Sequence, residues 1–196
     1  MSLYNAEISA GSLLIPESRR IAELLLTKPS KEAWDETILR DNILQKSPAT
    51  AKRQSNLIRK RLQTLDAQGL QLIVQSDSEL CGQLLMAAAL RHSLLMADFM
   101  RDVYAVDLRQ LERSLSRRQW DSFLTECAHR DDGVNAWAVS TRLKLFEVIV
   151  RILVEAKFLD STKNMQLTPP MLHPRLHTYL FQLGARDTLT RMEFGQ

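Results

Sequence analysis

Three observations predict an all-α fold, a compact multi-helix bundle. The 196-residue chain has only 6 glycines and 6 prolines, so few residues break a helix. Apolar residues recur at three- and four-residue spacing in successive segments. Helix-start signals such as Ser47-Pro48 stand in front of several of those segments. A single helical domain over 1–196 is expected. An internal division, if there is one, separates a helix-turn-helix-like part at 1–75 from a helical bundle with a winged-helix-like end at 76–196.

The elements follow in order. Ala6 to Leu14 mixes small and apolar residues and is expected to include an extended arm. Pro16-Glu17-Ser18 starts a helix with Ile21, Leu24 and Leu25 inside, ending before Pro29. Ser30 caps a second helix, Lys31 to about Leu44, with Trp34, Ile38 and Leu39 facing inward. A short link, Gln45-Lys46-Ser47, leads to a third helix from Pro48 to about Leu65. There Ser47 is expected to accept from an orphan backbone N–H, and Pro48 suits the first helical position. Gly69 interrupts the pattern before Leu70, Leu72, Ile73 and Val74 resume it. Ser76-Asp77-Ser78 forms a turn and cap.

Glu79 to Ala105 is the most hydrophobic segment, with Leu84, Leu85, Ala88, Leu95, Phe99 and Val103 as core. Asp107 to about Leu115 is expected as a separate helix. Ser116 caps the next, which carries Trp120, Phe123 and Leu124. Asp131-Asp132-Gly133 is a loop. Ser140 caps Thr141 to Lys157, with Leu143, Phe146, Val150, Leu153 and Val154 as its buried stripe. Ser161-Thr162-Lys163-Asn164 is turn-like and leads to Met165-Gln166-Leu167-Thr168. A small β-hairpin wing is expected here. Pro174 starts a last short helix ending at Gly184, and Ala185 to Gln196 is expected to fray.

Composition excludes several classes. Hydrophobic residues make up 45% and charged residues 25%, as in a globular protein. The apolar run Leu80 to Leu90 is closed by Arg91-His92. It falls well short of the ~20 residues that span a bilayer. The acidic Glu7 and the lack of a basic-then-apolar opening argue against a signal peptide. Cys81 and Cys127 read as reduced thiols of a cytoplasmic protein.

The charge map singles out one element. Asn42 to Leu65 has no acidic residue and holds Lys46, Lys52, Arg53, Arg59, Lys60 and Arg61. The chain's net charge is +3, so the remainder sums to 3 − 6 = −3. On the third helix Ala51, Ile58, Leu62 and Leu65 share a packing stripe. Lys52, Arg53, Asn56, Arg59 and Lys60 fall on a separate arc of about 120°. A solvated bundle face is the ordinary explanation of a charge run. Such faces usually mix signs for i,i+4 pairing, however, and this one lacks acids. Helix, tight turn and capped basic helix is the outline of a helix-turn-helix. A cationic face of this kind suits a polyanion, because neutralising phosphates releases counterions.

Lys46, Lys52, Arg53, Arg59 and Lys60 are thus the candidate phosphate contacts. Ser47, Thr50 and the amides near Pro48 could hold a phosphate at the helix N-terminus. Asn56 is placed to reach a base edge, and Lys163 and Asn164 to add a wing contact. Aromatic residues amount to 6% and do not interleave with the basic face. Duplex backbone contact therefore fits better than single-strand stacking. Docking of an acidic protein partner, as an assembly or scaffold protein, fits the same face.

Catalytic and metal signatures are absent. Glu155-Ala156-Lys157 matches a fragment of a nuclease signature but lies in a helix. Cys127, His129, Asp131 and Asp132 read as a helix end and acidic loop, and His173 as a helix-entry residue. His92 reads as a helix-surface residue. Asp98 and Asp102 are an i,i+4 acidic pair with Arg91 and Arg101 as salt-bridge partners. Trp34 and Trp120 are expected in the core, with Trp137 partly exposed. No enzyme activity, cofactor or metal is expected.

Several segments resemble the BrxA family. They are Tyr4-Asn5-Ala6-Glu7-Ile8, Leu13 to Arg19, Asn42 to Lys46 running into Ser47-Pro48-Ala49-Thr50-Ala51-Lys52-Arg53, Ala87 to Leu95, and Arg151 to Ala156. The resemblance runs in order to about Leu180, and the stretch from Ser47 to Arg53 is its most specific part. It implies a helical protein similar to the antitermination factor NusB that binds double-stranded DNA in a bacteriophage-exclusion (BREX) defence system. The NusB likeness also leaves RNA binding open. An ATPase, an adenine methyltransferase and a phosphatase-like component are the implied partners. Family members have been labelled inner-membrane proteins, a label the short apolar run argues against.

Overall fold

The computed structural model describes residues 2–194. A 3-10 turn, Glu7–Ala10, precedes ten helical elements. They are α1 (Ile15–Leu26), α2 (Lys31–Asp35, running on as a π turn through Glu36–Arg40), α3 (Pro48–Leu62), α4 (Ala67–Gln75) and α5 (Ser78–His92). Next come α6 (Leu94–Phe99, a π turn Met100–Tyr104, then Ala105–Arg109) and α7 (Arg117–Arg130). A 3-10 turn, Asp132–Val134, then leads to α8 (Val139–Glu155), α9 (Pro174–Gln182) and α10 (Arg186–Thr190). The all-α expectation holds, and the described residues contain no strand. The expected hairpin wing is reduced to two isolated antiparallel bridges, Ser114 with Gln166 and Leu159 with Leu167.

The core is organised around α5. Every residue from Leu80 to Leu90 is buried. A helix that is apolar on all sides must be surrounded, and α5 packs against α1, α3, α4, α6, α8, α9 and α10. The long apolar run does not continue straight. Ser93 adopts an extended backbone, its hydroxyl accepts from the Met96 amide, and α5 and α6 meet at a 108° bend. No single helix is long and apolar enough to cross a membrane among the described residues.

Several boundaries differ from expectation. Gly69 lies inside α4, where the Tyr179 hydroxyl fills the place a Cβ would take. Asp107 does not open a new helix. It lies within the last turn of α6 and is buried, and its carboxylate accepts from Gln119. Ser140 is not a cap, since α8 already starts at Val139. Leu143 and Leu39 are 39% and 41% exposed and leave their predicted stripes. The tail that was expected to fray forms α10 and buries Met192; residues 195–196 lie outside the described part. The predicted cap at Ser116 is present, with a reciprocal capping box to Gln119.

The N-terminal arm is strapped across the bundle. Asp131 accepts from the Tyr4 amide at 2.8 Å and from Ser2 Oγ at 2.7 Å. These bonds hold its carboxyl at about 2, below the usual range. The Tyr4 hydroxyl donates to the buried Asp98 at 2.7 Å. Further on, Glu155 accepts from Ser12 Oγ and the Leu13 amide, each at 2.7 Å.

Candidate nucleic-acid interface

The packing stripe of α3 is as the sequence predicts. Ala51, Ile58, Leu62 and Leu65 are buried. Lys52, Arg53, Asn56 and Lys60 are exposed on the other side, and Arg59 is half-buried. The N-terminal end departs from expectation. Ser47 occupies the cap position, but its hydroxyl makes no backbone cap and lies 3.0 Å from Thr50 Oγ1. The Ala49 and Thr50 amides have no acceptor among the described residues. They keep the positive end of the helix dipole open. The link to α2 is also longer than a tight turn. It spans 41–47 and passes through left-handed Asn42 and Gln45.

The six cations fall into three groups. Lys46 pairs with Glu17 of α1 at 3.4 Å, and Lys60 pairs with Glu7 of the arm at 2.6 Å. Arg61 is not on the face at all. It is 4% exposed and donates to the carbonyls of Ser12 and Gly11. Burial pushes its pKa down to about 10, with Glu155 opposing, so it stays charged at neutral pH. Lys52, Arg53 and Arg59 make no ion pair among the described residues. Arg59 lies over the ring of the buried Trp34, 4.6 Å from its centroid, which orients the guanidinium without neutralising it.

Glu7 is a node that sequence spacing does not disclose. One of its oxygens meets Lys60 and the other lies 3.3 Å from His92 Nε2. The Lys60 bond holds the Glu7 carboxyl below its ordinary value. His92 is therefore not a plain surface residue. Its side chain is 11% exposed, and burial together with Arg61 pushes its pKa down.

The other singled-out residues lie elsewhere. Lys163 and Asn164 are exposed, and among the described residues no hydrogen bond or ion pair joins their turn to α3. Asp98 and Asp102 pair with Arg101 and Arg130; the expected Arg91 instead donates to the Thr64 carbonyl. His173 caps α9 through the Arg175 amide. Trp34 and Trp120 are buried and Trp137 is half-buried. Cys81 and Cys127 are free and buried. No cluster of potential metal ligands occurs among the described residues.

This is a helical bundle built on one buried central helix, with a basic helix lying on its outside. The BrxA family profile matches residues 2–184, and the chain belongs to that family. It is 38% identical over 178 residues to a BREX protein BrxA of Paramagnetospirillum magneticum (strain ATCC 700264 / AMB-1), covering 90% of this chain and 89% of the relative. The BREX protein BrxA of Escherichia coli O9:H4 (strain HS) is 34% identical over 188 residues, covering 95% and 88%. A crystal structure of a protein from Magnetospirillum magneticum superposes with a TM-score of 0.90 at 34% identity, covering 97% of this chain and 98% of that one.

Proposed function

We propose that this protein is a non-enzymatic, double-stranded-DNA-binding component of a BREX phage-defence system that grips the phosphate backbone on the outer face of α3. Family membership and the names of the relatives support the BREX part. DNA contact rests on Lys52, Arg53 and Arg59 standing together on one arc without a carboxylate partner. The open Ala49 and Thr50 amides, with Ser47 and Thr50, suit a phosphate at the helix start. Asn56 lies between the cations and is suited to an adenine edge. Lys46 and Lys60 join only by exchanging Glu17 and Glu7 for phosphate. Backbone contacts position without specifying, so weak sequence preference is expected.

Fluorescence anisotropy with duplex DNA, duplex RNA and single strands over a salt series tests this reading. Three neutralised phosphates predict a log K against log salt slope of about −2.7 on duplex DNA. Lys52→Glu with Arg53→Glu should weaken binding at least ~10-fold, about 1.4 kcal/mol, with unchanged thermal unfolding. Undiminished affinity in that double variant, or a preference for duplex RNA, refutes the assignment. A pull-down of an acidic protein that survives nuclease, without DNA binding, makes the face a protein-docking surface instead.

A further inference from the structure

We infer that Glu7 and Glu17 are built-in counter-ions that bound the polyanion footprint of α3, each holding one end lysine in the place a phosphate would take. This deepens the reading above and rests on it. The two carboxylates come from different elements, the arm and α1, and they meet opposite ends of the basic run.

Glu7 does not reach Lys60 as a chance surface partner. Its backbone N–H is held by Asn5 Oδ1 at 3.1 Å. The arm is fastened before it, where Tyr4 and Ser2 bond Asp131, and after it, where Gly11 and Ser12 bond Arg61. Arg61 follows Lys60 directly in α3, so the anchor and the ion pair fix the same stretch of arm against the same helix turn. The second Glu7 oxygen is occupied by His92. Lys60 and Glu7 remain 52% and 43% exposed, so a polyanion can reach the pair and must compete with the carboxylate. At the other end Glu17 is only 14% exposed and lies 3.4 Å from Lys46.

Apart from the uncharged contacts at the helix start, the cationic footprint that needs no exchange therefore runs from Lys52 to Arg59. At ~1.5 Å rise per residue it is about 10 Å long, room for a few phosphates and no more. A phosphate at either flank releases fewer counterions than its contact count suggests, because the lysine it meets is already neutralised.

Duplex-DNA anisotropy over a salt series, on the full chain, tests this. Glu7→Gln should steepen the salt slope by about 0.9 and tighten low-salt binding about two- to fivefold. Glu17→Gln should do the same independently. Adding Lys60→Gln to the Glu7→Gln variant should cancel the increment, whereas adding Lys144→Gln, which restores the same net charge on another helix, should leave it in place. Glu126→Gln on α7 serves as the charge control, with affinity allowed to shift but not slope. A Glu7→Gln slope equal to that of the control, or an increment that survives loss of Lys60, overturns the inference. The underlying reading fails separately, when Lys52→Glu with Arg53→Glu still binds. If neither the unsubstituted chain nor Glu7→Gln binds duplex DNA, both fail.

Discussion

Replacing Arg61 by methionine separates charge that holds the fold from charge that meets a ligand. The guanidinium is buried, and its two terminal nitrogens satisfy the Ser12 and Gly11 carbonyls. Methionine matches the length and apolar bulk of the stem but donates nothing. A hydrogen bond to a charged group contributes about 1.5–3 kcal/mol, and two are lost. Removing a buried charge whose Nε has no partner offsets part of that. A net loss of about 3 kcal/mol is expected. For a chain of this length that is a fall in Tm of roughly 6–12 °C. Urea unfolding with matched calorimetry measures it. Arg61→Lys should lose about half as much, because one ammonium cannot reproduce the fork on two carbonyls. The salt slope for DNA should not move in either variant. A methionine variant within about 0.5 kcal/mol of the parent would show that Arg61 does not anchor the arm. A slope shallower by about 0.9 would return Arg61 to the binding face.

Two further predictions concern positions where sequence rules and structure disagree. Helix propensity alone says Gly69→Ala stabilises α4 by about 1 kcal/mol. The added Cβ would instead collide with Tyr179 Oη and push the hydroxyl off Asp66, 3.0 Å away. The expected result is a loss of about 1–3 kcal/mol, and a stabilised variant in urea unfolding would refute it. Asp107 is raised to about 6 by burial, with Glu112 adding to the rise and the Gln119 bond opposing it. A native carboxyl that holds its proton longer than the unfolded one contributes stability below pH ~4, and that stability is lost as pH rises through 6. Asp107→Asn keeps an acceptor for Gln119 and should flatten the stability profile between pH 4 and 6, gaining about 1–2 kcal/mol at pH 7. Parallel urea midpoints for the two proteins across that range would refute it.

Legibility divides by the range of the forces involved. Caps and stripes depend on neighbours three or four residues away, and most were readable. Examples are the Ser116 capping box, the α3 stripe and the buried α5 run. The caps expected of Ser47 and Ser140 failed locally; other misses were decided by the surrounding fold. Gly69 reads as a breaker until Tyr179 is seen filling its missing side chain. Asp107 reads as a helix-starting acid until the π turn carries α6 straight into it. Leu143 lies on the predicted stripe, but near the start of α8 it is left 39% exposed.

The basic helix shows both limits at once. Arg61 could have been removed from the face by periodicity alone. Nine residues at ~100° each put it about 180° from Lys52, so an exposed Lys52 implies an inward Arg61. The pairing of Lys60 had no such signal, because Glu7 precedes it by 53 residues. Counting charges along the chain gives six cations; placing them in the fold leaves Lys52, Arg53 and Arg59 without a carboxylate. A binding mode resting on three uncompensated charges is weaker and less salt-sensitive than one resting on six. With non-specific contacts of this number, tight association would need several copies of the face on one DNA, or a partner that adds its own contacts. The measured slope therefore decides more than whether DNA binds. About −2.7 means the face acts as folded, and a value near −4.5 means Glu7 and Glu17 have yielded both end lysines to phosphate.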